Sequence, residues 1–207
     1  MTEDAVRNVV DGQVLGDVVQ VGSAAFVPET RPTAVAGLPP PAVFVGRERE
    51  LARLVAALEP GAPSAVLVWS VGGLPGVGET ALAVRAAHRA VAAGWFPGGV
   101  LMTNLRGYDQ PTQRITPSTA LAGLLGALGV ASGHIPPEVD DRARLWRSRL
   151  ADRPRTLVLA DNVSDASQVV PLLPGDSRHQ VLITSRHSAT WTRPPAGTCA
   201  ACASWRR

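Results

Sequence analysis

The chain has 207 residues, of which 45% are hydrophobic and 4% aromatic, enough for one ordinary globular core with a small appendage. Its formal charge of +3 comes from arginine alone, and no basic patch alternates with aromatic residues, so a nucleic-acid partner is not expected. The N-terminus lacks the basic-then-apolar order of a signal peptide, and no apolar run approaches the roughly 20 residues of a membrane span. We therefore expect a cytoplasmic protein without membrane association.

The first zone, residues 1–27, is rich in valine, glycine, aspartate and glutamine. Asp11-Gly12 and Gly16-Asp17 can turn the chain between three short β pieces. The run VVQVG at 18–22 is uncharged, proline-free and β-prone, so copies of it can stack in register with glutamine ladders. We predict self-association through Val18, Val19, Gln20, Val21 and Gly22. The alternatives are a hairpin folded onto the body and a disordered leader.

A proline-rich stretch, 28–42, has too little apolar periodicity to fold and is predicted to be an extended linker. The body follows over 43–186. Its first helix is predicted over 48–58, because Leu51, Leu54, Val55 and Leu58 recur at helical spacing. Residues 65–71 form a continuous apolar run between turn residues, which is typical of a strand buried on both faces.

The rest of the body alternates helices with strands. Thr116 and Pro117 are suited to the N-cap and first position of a helix, and Ser164 to the cap of a short one. Helices are predicted over 80–93, 117–128 and 139–150, and strands over 100–105, 156–160 and 181–184. This alternation favours the α/β class, with a parallel sheet covered by helices on both faces.

A glycine-rich loop, GLPGVGET at 73–80, lies between the first strand and the second helix. Gly73, Gly76 and Gly78 let consecutive backbone N–H groups point at phosphate oxygens, and the helix N-terminus adds partial positive charge. The hydroxyl of Thr80 is the candidate ligand for Mg²⁺ bridging the outer phosphates. The loop predicts a P-loop nucleotide site; the alternative is a glycine turn in an unrelated sheet.

Glu79 occupies the position at which the P-loop pattern has lysine. Two unit charges about 4 Å apart interact by about 4 kcal/mol at an effective dielectric near 20. Even a severalfold discount leaves about 1.4 kcal/mol, which is a tenfold loss of affinity. Because backbone amides hold the inner phosphates, ADP binding is easier to retain than ATP hydrolysis.

A second motif, LVLADN at 157–162, has the form of an apolar strand that delivers an acid beside the phosphates. Asp161 is the second Mg²⁺ candidate, as in a Walker B motif; the alternative is a capping aspartate. Asn162 stands where many hydrolytic relatives carry a second carboxylate, so general-base catalysis is weakly supported. No residue is assigned as catalytic.

Five ordered motifs together resemble the NB-ARC domain of bacterial, in particular actinobacterial, STAND signalling P-loop NTPases. They are FVGRE at 44–48, GLPGVGETALA at 73–83, LRGYD at 105–109, LVLADN and LITSR at 182–186. The resemblance implies an ADP/ATP-switched module in which Val45 and Arg47 lie by the adenine and Arg186 senses the terminal phosphate. The implied nucleotide-binding residues are Val45, Arg47, Gly73, Gly76, Val77, Gly78, Glu79, Thr80, Ala81 and Arg186.

The flanking zones bear on the same resemblance. VQVG at 19–22 looks like the core of the RHIM amyloid motif, and 1–27 is similar to amyloid signalling sequences that precede NB-ARC domains. Family members continue with a fifth strand and helical lid subdomains, whereas 187–207 is aperiodic and looks like a frameshifted end. Without that strand, the first strand is expected to be an open edge, which predicts limited solubility or dependence on a partner.

Three functions are open at this point. The first is an ADP/ATP-binding regulatory module with impaired or no hydrolysis, weak binding of nucleotide and Mg²⁺, and a homotypic or effector protein partner for 1–27. The second is an active ATPase that tolerates Glu79. The third is a non-functional truncated fragment. Replacing Glu79 by lysine, or removing Asp161, distinguishes the first two.

Overall fold

Within the part of the chain that the structure describes, four parallel strands form one sheet, in the order β1-β4-β3-β2. The structure is a computed structural model that describes residues 37–41, 46–62, 66–70 and 78–186. Its strands are β1 (Val66–Ser70), β2 (Val100–Asn104), β3 (Leu157–Asp161) and β4 (Gln180–Ser185). Its α-helices are α1 (Glu48–Ala57), α2 (Glu79–Ala92), α3 (Pro117–Ala127) and α4 (Val139–Ala151). Short 3-10 helices in the described residues lie at Pro111–Gln113, Ser132–His134, Ala166–Gln168 and Val170–Leu172.

Helices cover both faces of the sheet. Alternate residues of each strand point to opposite sides, so both faces present side chains for the helices to pack against. Leu157, Leu159 and Leu182 pack with α1 and α2 on one face. Val158 and Ile183 pack with α3 and α4 on the other face. A parallel sheet buried on both sides needs nearly continuous apolar strands, and every residue of β3 and β4 is buried. The predicted fold class, α/β with a parallel sheet covered by helices on both faces, is confirmed.

Most predicted elements are found within one or two residues of their expected ends. The cap of α3 is as predicted: the backbone N–H of Thr119 donates to the hydroxyl of Thr116, and Pro117 is the first helical residue. The prediction that Ser164 caps a short helix is wrong. Asp165 caps the 3-10 helix Ala166–Gln168 instead, with Gln168 completing a capping box. Ser164 donates to the Gln168 carboxamide.

β1 lies at one end of the sheet, where the sequence predicted an exposed edge. Among the described residues it pairs with β4 alone, over the five positions 66–70. The consequences expected of that edge, limited solubility or dependence on a partner, stay predictions. No helix among the described residues is long and apolar enough to cross a membrane.

The described part of the predicted linker, residues 37–41, packs a side chain in the core. Leu38 is 8% exposed and lies in the cluster of α1 and α2. The side chain of His88 in α2 bonds to the carbonyl oxygen of Pro39, at 2.7 Å. Apolar burial and one polar contact thus hold 38–39 against α2, which the proline content alone did not reveal.

Arg155 ties several elements together at the amino end of the strands. Its guanidinium donates to the carbonyl oxygens of Trp95, Leu58 and Glu59 and to the Gln180 side chain. It also lies 4.5 Å from the centre of the Phe96 ring. Arginine suits this position because its planar group offers several donors at once. Burial lowers the pKa of Arg155 from its ordinary value.

His179 makes the stability of the fold dependent on pH. It is fully buried, and its Nδ1 accepts the backbone N–H of Thr156 at 3.2 Å, which places the proton of the neutral ring on Nε2. Burial lowers the pKa of His179 below 6.5, while Asp176 acts in the opposite direction. Since the unfolded chain then binds more protons, the free energy of unfolding falls as the pH drops below about 6.5.

We expect this loss to approach about 1.4 kcal/mol per pH unit between the unfolded and folded pKa values. Urea unfolding at several pH values between about 7.5 and 5.5 measures it, in a range above most carboxyl titrations. His179→Gln should flatten the slope. The matching change at exposed His134, His134→Gln, should leave it as it is. An equal slope in wild type and His179→Gln would contradict the account.

Candidate functional site

The polar residues of the candidate site meet at the carboxyl edge of the sheet. Asn104, Asp161 and Ser185 are the last residues of β2, β3 and β4. α2 follows β1 in the chain and begins at Glu79 beside this edge. In open parallel sheets, ligands bind outside the carboxyl ends of the strands, and this topology therefore gathers the candidate residues where a ligand can reach them.

The start of α2 has a backbone that only glycine adopts readily. Gly78 is the N-cap, with φ of 82° in the left-handed region. Glu79 is the first helical residue and the acidic residue of the first turn. Carboxylates at this position stabilise a helix by about 0.3–1 kcal/mol, because they lie near its positive end. Glu79 thus occupies the electrostatic field that a bound phosphate would use.

The two predicted magnesium ligands are in direct contact. The hydroxyl of Thr80 donates to Asp161 Oδ1 at 2.7 Å, although 81 positions separate them in the chain. This bond joins the first turn of α2 to the end of β3. A hydroxyl that donates its proton keeps lone pairs for a cation, so the contact is compatible with Mg²⁺ coordination by the Thr80 oxygen.

Asp161 is a buried carboxylate held by neutral donors. It is 1% exposed, and Oδ1 also accepts the hydroxyl of Thr184 at 2.6 Å. Oδ2 accepts the side-chain amides of Asn104 and Asn162, each at 3.2 Å. No ion pair involves Asp161 among the residues that the structure describes. Burying a carboxylate is costly without such bonds, and a divalent cation would add the missing positive charge.

Asn162 lies beside Asp161 and carries an amide in place of a carboxylate. Its backbone is left-handed, with φ of 56°, which asparagine tolerates better than most residues. Its amide reaches Asp161 and Asn104, and its backbone N–H donates to the hydroxyl of Thr184. The residue therefore orients Asp161 and is not suited to accept a proton from water.

The loop after β2 contacts the backbone at Asp161 and Asn162. The backbone N–H of Gly107 donates to the carbonyl oxygen of Asn162 at 2.8 Å, and the backbone N–H of Leu105 donates to the backbone carbonyl oxygen of Asp161. A Cβ on residue 107 would lie 2.5 Å from the backbone nitrogen of Ser164 and 2.6 Å from the Asn162 carbonyl oxygen. Glycine is therefore required at 107 by the approach of two backbones.

Gly107→Ala should lower the free energy of unfolding by about 1–3 kcal/mol, because backbone atoms must move to admit the methyl group. Gly123→Ala is the matched control, since no atom lies within 4 Å of its added Cβ in α3. It should be neutral or stabilising by about 0.5–1 kcal/mol. Denaturant unfolding of both variants measures the difference, and equal stabilities would contradict the loop contact.

Arg186 is placed next to β4 by Tyr108. Its guanidinium carbon lies 4.6 Å from the centre of the Tyr108 ring. Its backbone N–H donates to the Tyr108 hydroxyl at 2.8 Å, and the same hydroxyl lies 2.9 Å from Ser185 Oγ. A cation over an aromatic face contributes about 0.5–1 kcal/mol at an exposed position. Arg186 is half-buried here.

Arg47 has a buried nitrogen that the described residues leave without a hydrogen bond. It is the N-cap of α1 in a left-handed conformation, with φ of 64°. Its Nη1 is buried and has no partner there. Buried polar groups without a partner are uncommon in folded proteins, and a ligand is one explanation for such a group. This observation fits the predicted nucleotide at Arg47.

The structure brings only part of the predicted site together. Gly78, Glu79, Thr80 and Ala81 start α2, and Asp161 and Arg186 lie at the ends of β3 and β4. Other predictions lie outside the described residues: Val45, Gly73, Gly76, Val77, the segment 18–22 and the tail 187–207. The site assignments stay predictions.

Sequence reasoning missed Asn104, Thr184 and the role of Tyr108. Each lies at or just beyond the carboxyl end of a strand, and that position is the signal that could have found them. Tyr108 belonged to a motif used for the resemblance, but nothing in the motif indicated its contact with Arg186.

The parallel sheet, its covering helices and the contact between α2 and β3 define an α/β domain with a polar site at the carboxyl edge of the sheet. The chain is 41% identical over 170 residues to regulatory protein AfsR of Streptomyces coelicolor, covering 81% of this chain and 16% of that protein. Its counterpart from Streptomyces griseus is 42% identical over 143 residues, covering 69% and 14%. The chain thus spans about a sixth or less of the length of these relatives.

The chain was also compared with family models and with solved structures. No family model matches the chain. The solved Aeropyrum pernix ORC2 protein, in ADPNP–ADP complexes, aligns with a TM-score of 0.46 and 18% identity, covering 78% of this chain and 46% of that one.

Proposed function

We propose that this chain is an ADP/ATP-binding regulatory signalling module of NB-ARC type, with impaired or no ATP hydrolysis. The observation that carries the proposal is the bond between Thr80 and Asp161, at 2.7 Å. It joins the last residue of the expected phosphate loop to the residue that ends β3. A hydroxyl and a carboxylate at this edge are the two protein groups that a P-loop domain uses for its metal.

Mg²⁺ fits these residues. It prefers oxygen ligands and keeps several waters, so it takes only one or two groups from the protein and the rest from phosphates. Thr80 and Asp161 would hold it, and Asn104, Asn162 and Thr184 would orient the acid. When bound, the ion neutralises charge on the outer phosphates.

ADP is the better ligand for this chain. The helix N-terminus and the loop amides attract the inner phosphates without any side-chain charge. Glu79 stands in the first turn of α2, where the pattern has lysine, and repels the outer phosphates. The chain holds no lysine that could replace it. Binding of ATP should therefore be weaker than binding of ADP.

Among the described residues of this edge, none is a carboxylate at the position of the usual proton acceptor for hydrolysis. Asn162 stands where a second carboxylate would polarise water, and its amide is turned toward Asp161. Asp161 itself accepts four hydrogen bonds. A site that positions nucleotide without activating water suits a switch better than a catalyst.

The regulatory role rests on the relatives, which are named regulatory proteins. In this proposal, nucleotide occupancy biases the body between two states, and 18–22 passes that bias to a copy of itself or to an effector. A ligand shifts such an equilibrium only by its difference in affinity for the two states.

The proposed function is tested by following phosphate release and fluorescent ADP binding in the same purified chain. A regulatory module should bind ADP and release phosphate no faster than a chain-free blank. Turnover that disappears in Asp161→Asn would support the alternative, an active ATPase. Neither binding nor turnover would support the third possibility, a non-functional fragment.

A further inference from the structure

Tyr108 makes two different contacts with one residue. Its hydroxyl accepts the backbone N–H of Arg186, and its ring faces the guanidinium group of the same side chain. The first contact fixes where the chain leaves β4, and the second restricts the side-chain rotamers. Together they limit both the backbone and the side chain of Arg186.

The position of Tyr108 is itself fixed by the residues around Asp161. Arg106 adopts φ of 46°, a left-handed conformation that costs a non-glycine residue about 1–2 kcal/mol. Gly107 then touches the backbone of Asn162 and Ser164 too closely for any side chain. Such strain persists only where the surroundings over-determine it, and strained residues cluster at active sites and ligand-binding regions. The backbone of Arg106 and Gly107 places the Tyr108 side chain at the end of β4.

The same strand links both ends of this arrangement. Thr184 donates to Asp161, Ser185 pairs with the Tyr108 hydroxyl, and Arg186 follows directly. The predicted metal acid and the predicted phosphate sensor are thus contacted through three consecutive residues, the last two of β4 and the residue that follows it.

We propose that Tyr108 is a positioning residue that presents Arg186 to the outer phosphate of the nucleotide and so sets the preference between ATP and ADP. This inference rests on the proposed function and assigns one of its regulatory contacts. Without the phenol, Arg186 samples more rotamers and loses affinity for ATP, while ADP, which lacks the outer phosphate, is bound as before.

The test measures the affinities of the 207-residue chain for ADP and a non-hydrolysable ATP analogue in wild type, Tyr108→Phe and Tyr108→Leu. All three are measured in the wild-type and Glu79→Lys backgrounds. Tyr108→Phe keeps the ring and removes the hydroxyl, and should lower the ATP/ADP affinity ratio by about threefold to tenfold. Tyr108→Leu should lower it further. The ratio cancels a general loss of stability, which thermal midpoints report separately.

A double-mutant cycle identifies the residue through which Tyr108 acts. In an Arg186→Ala background, Tyr108→Phe should leave the ATP/ADP ratio unchanged. An equal effect with and without Arg186, an unchanged ratio, or a rise in ATP affinity overturns the inference while leaving the proposed function standing. If no chain in either background binds either nucleotide, the proposed function fails, and this inference fails with it.

Discussion

Glu79→Lys should raise the affinity of the chain for both ADP and ATP by at least about tenfold, with the larger gain for ATP. The change replaces repulsion by attraction at the start of α2. Full reversal of a unit charge about 4 Å from a phosphate amounts to several kcal/mol, and about 1.4 kcal/mol already suffices for the tenfold effect. Isothermal calorimetry on the two chains measures it.

The variant should also be slightly less stable without nucleotide. Glu79 interacts favourably with the positive end of α2, and lysine interacts unfavourably, at about 0.3–1 kcal/mol for each charge. Opposite changes in affinity and stability indicate a residue kept at the expense of ligand binding.

Asp140→Lys is the matched control, because Asp140 is an exposed acid in the first turn of another helix, α4. It changes the net charge by the same amount. Nucleotide affinity should then stay within about twofold of wild type, as expected for a distant, screened charge. Equal gains from both variants would mean that net charge alone controls binding, and would contradict a local role for Glu79.

Asp161→Asn should remove the dependence of ATP affinity on Mg²⁺. The substitution keeps the shape of the side chain but replaces a carboxylate oxygen by an amide, which neither carries charge nor ligates a cation through nitrogen. In the Glu79→Lys background, Mg²⁺ should tighten ATP binding by about tenfold or more through Asp161, and by little in the double variant. Titrations with Mg²⁺ and with EDTA provide the comparison.

Asp176→Asn supplies the control for that substitution. Asp176 pairs with Arg178 near the amino end of β4, away from the carboxyl edge. Its replacement should leave the Mg²⁺ effect intact. If Asp161→Asn retained the full effect, or if Asp176→Asn lost it, the assignment of the metal to the carboxyl edge would be wrong.

Local sequence patterns predicted most of the helices and strands. Period and cap residues located α3, because the Thr116 hydroxyl and Pro117 define its start without reference to the rest of the molecule. Continuous apolar runs located β3 and β4, because both of their faces are buried. The alternation of these elements then sufficed to predict a parallel sheet.

The contacts of the site could be predicted only in part. A motif could pair Thr80 with Asp161, since both belong to known metal-binding patterns, and these residues are in contact. The four donors to Asp161 come from the start of α2, the ends of β2 and β4 and the residue after β3, so their convergence depends on strand order. The Tyr108 and Arg186 contact joins residues 78 positions apart and has no local signal. The cap at Asp165 was missed because Ser164 offered an equally suitable side chain one residue earlier.

The nucleotide site is best tested by a calorimetric titration of the wild-type chain with ADP, with and without Mg²⁺, beside the Glu79→Lys variant. Wild type should bind ADP saturably in the micromolar range, and the variant should bind it more tightly. Absence of ADP binding in both chains would contradict the claim that the carboxyl edge of this sheet is a nucleotide site.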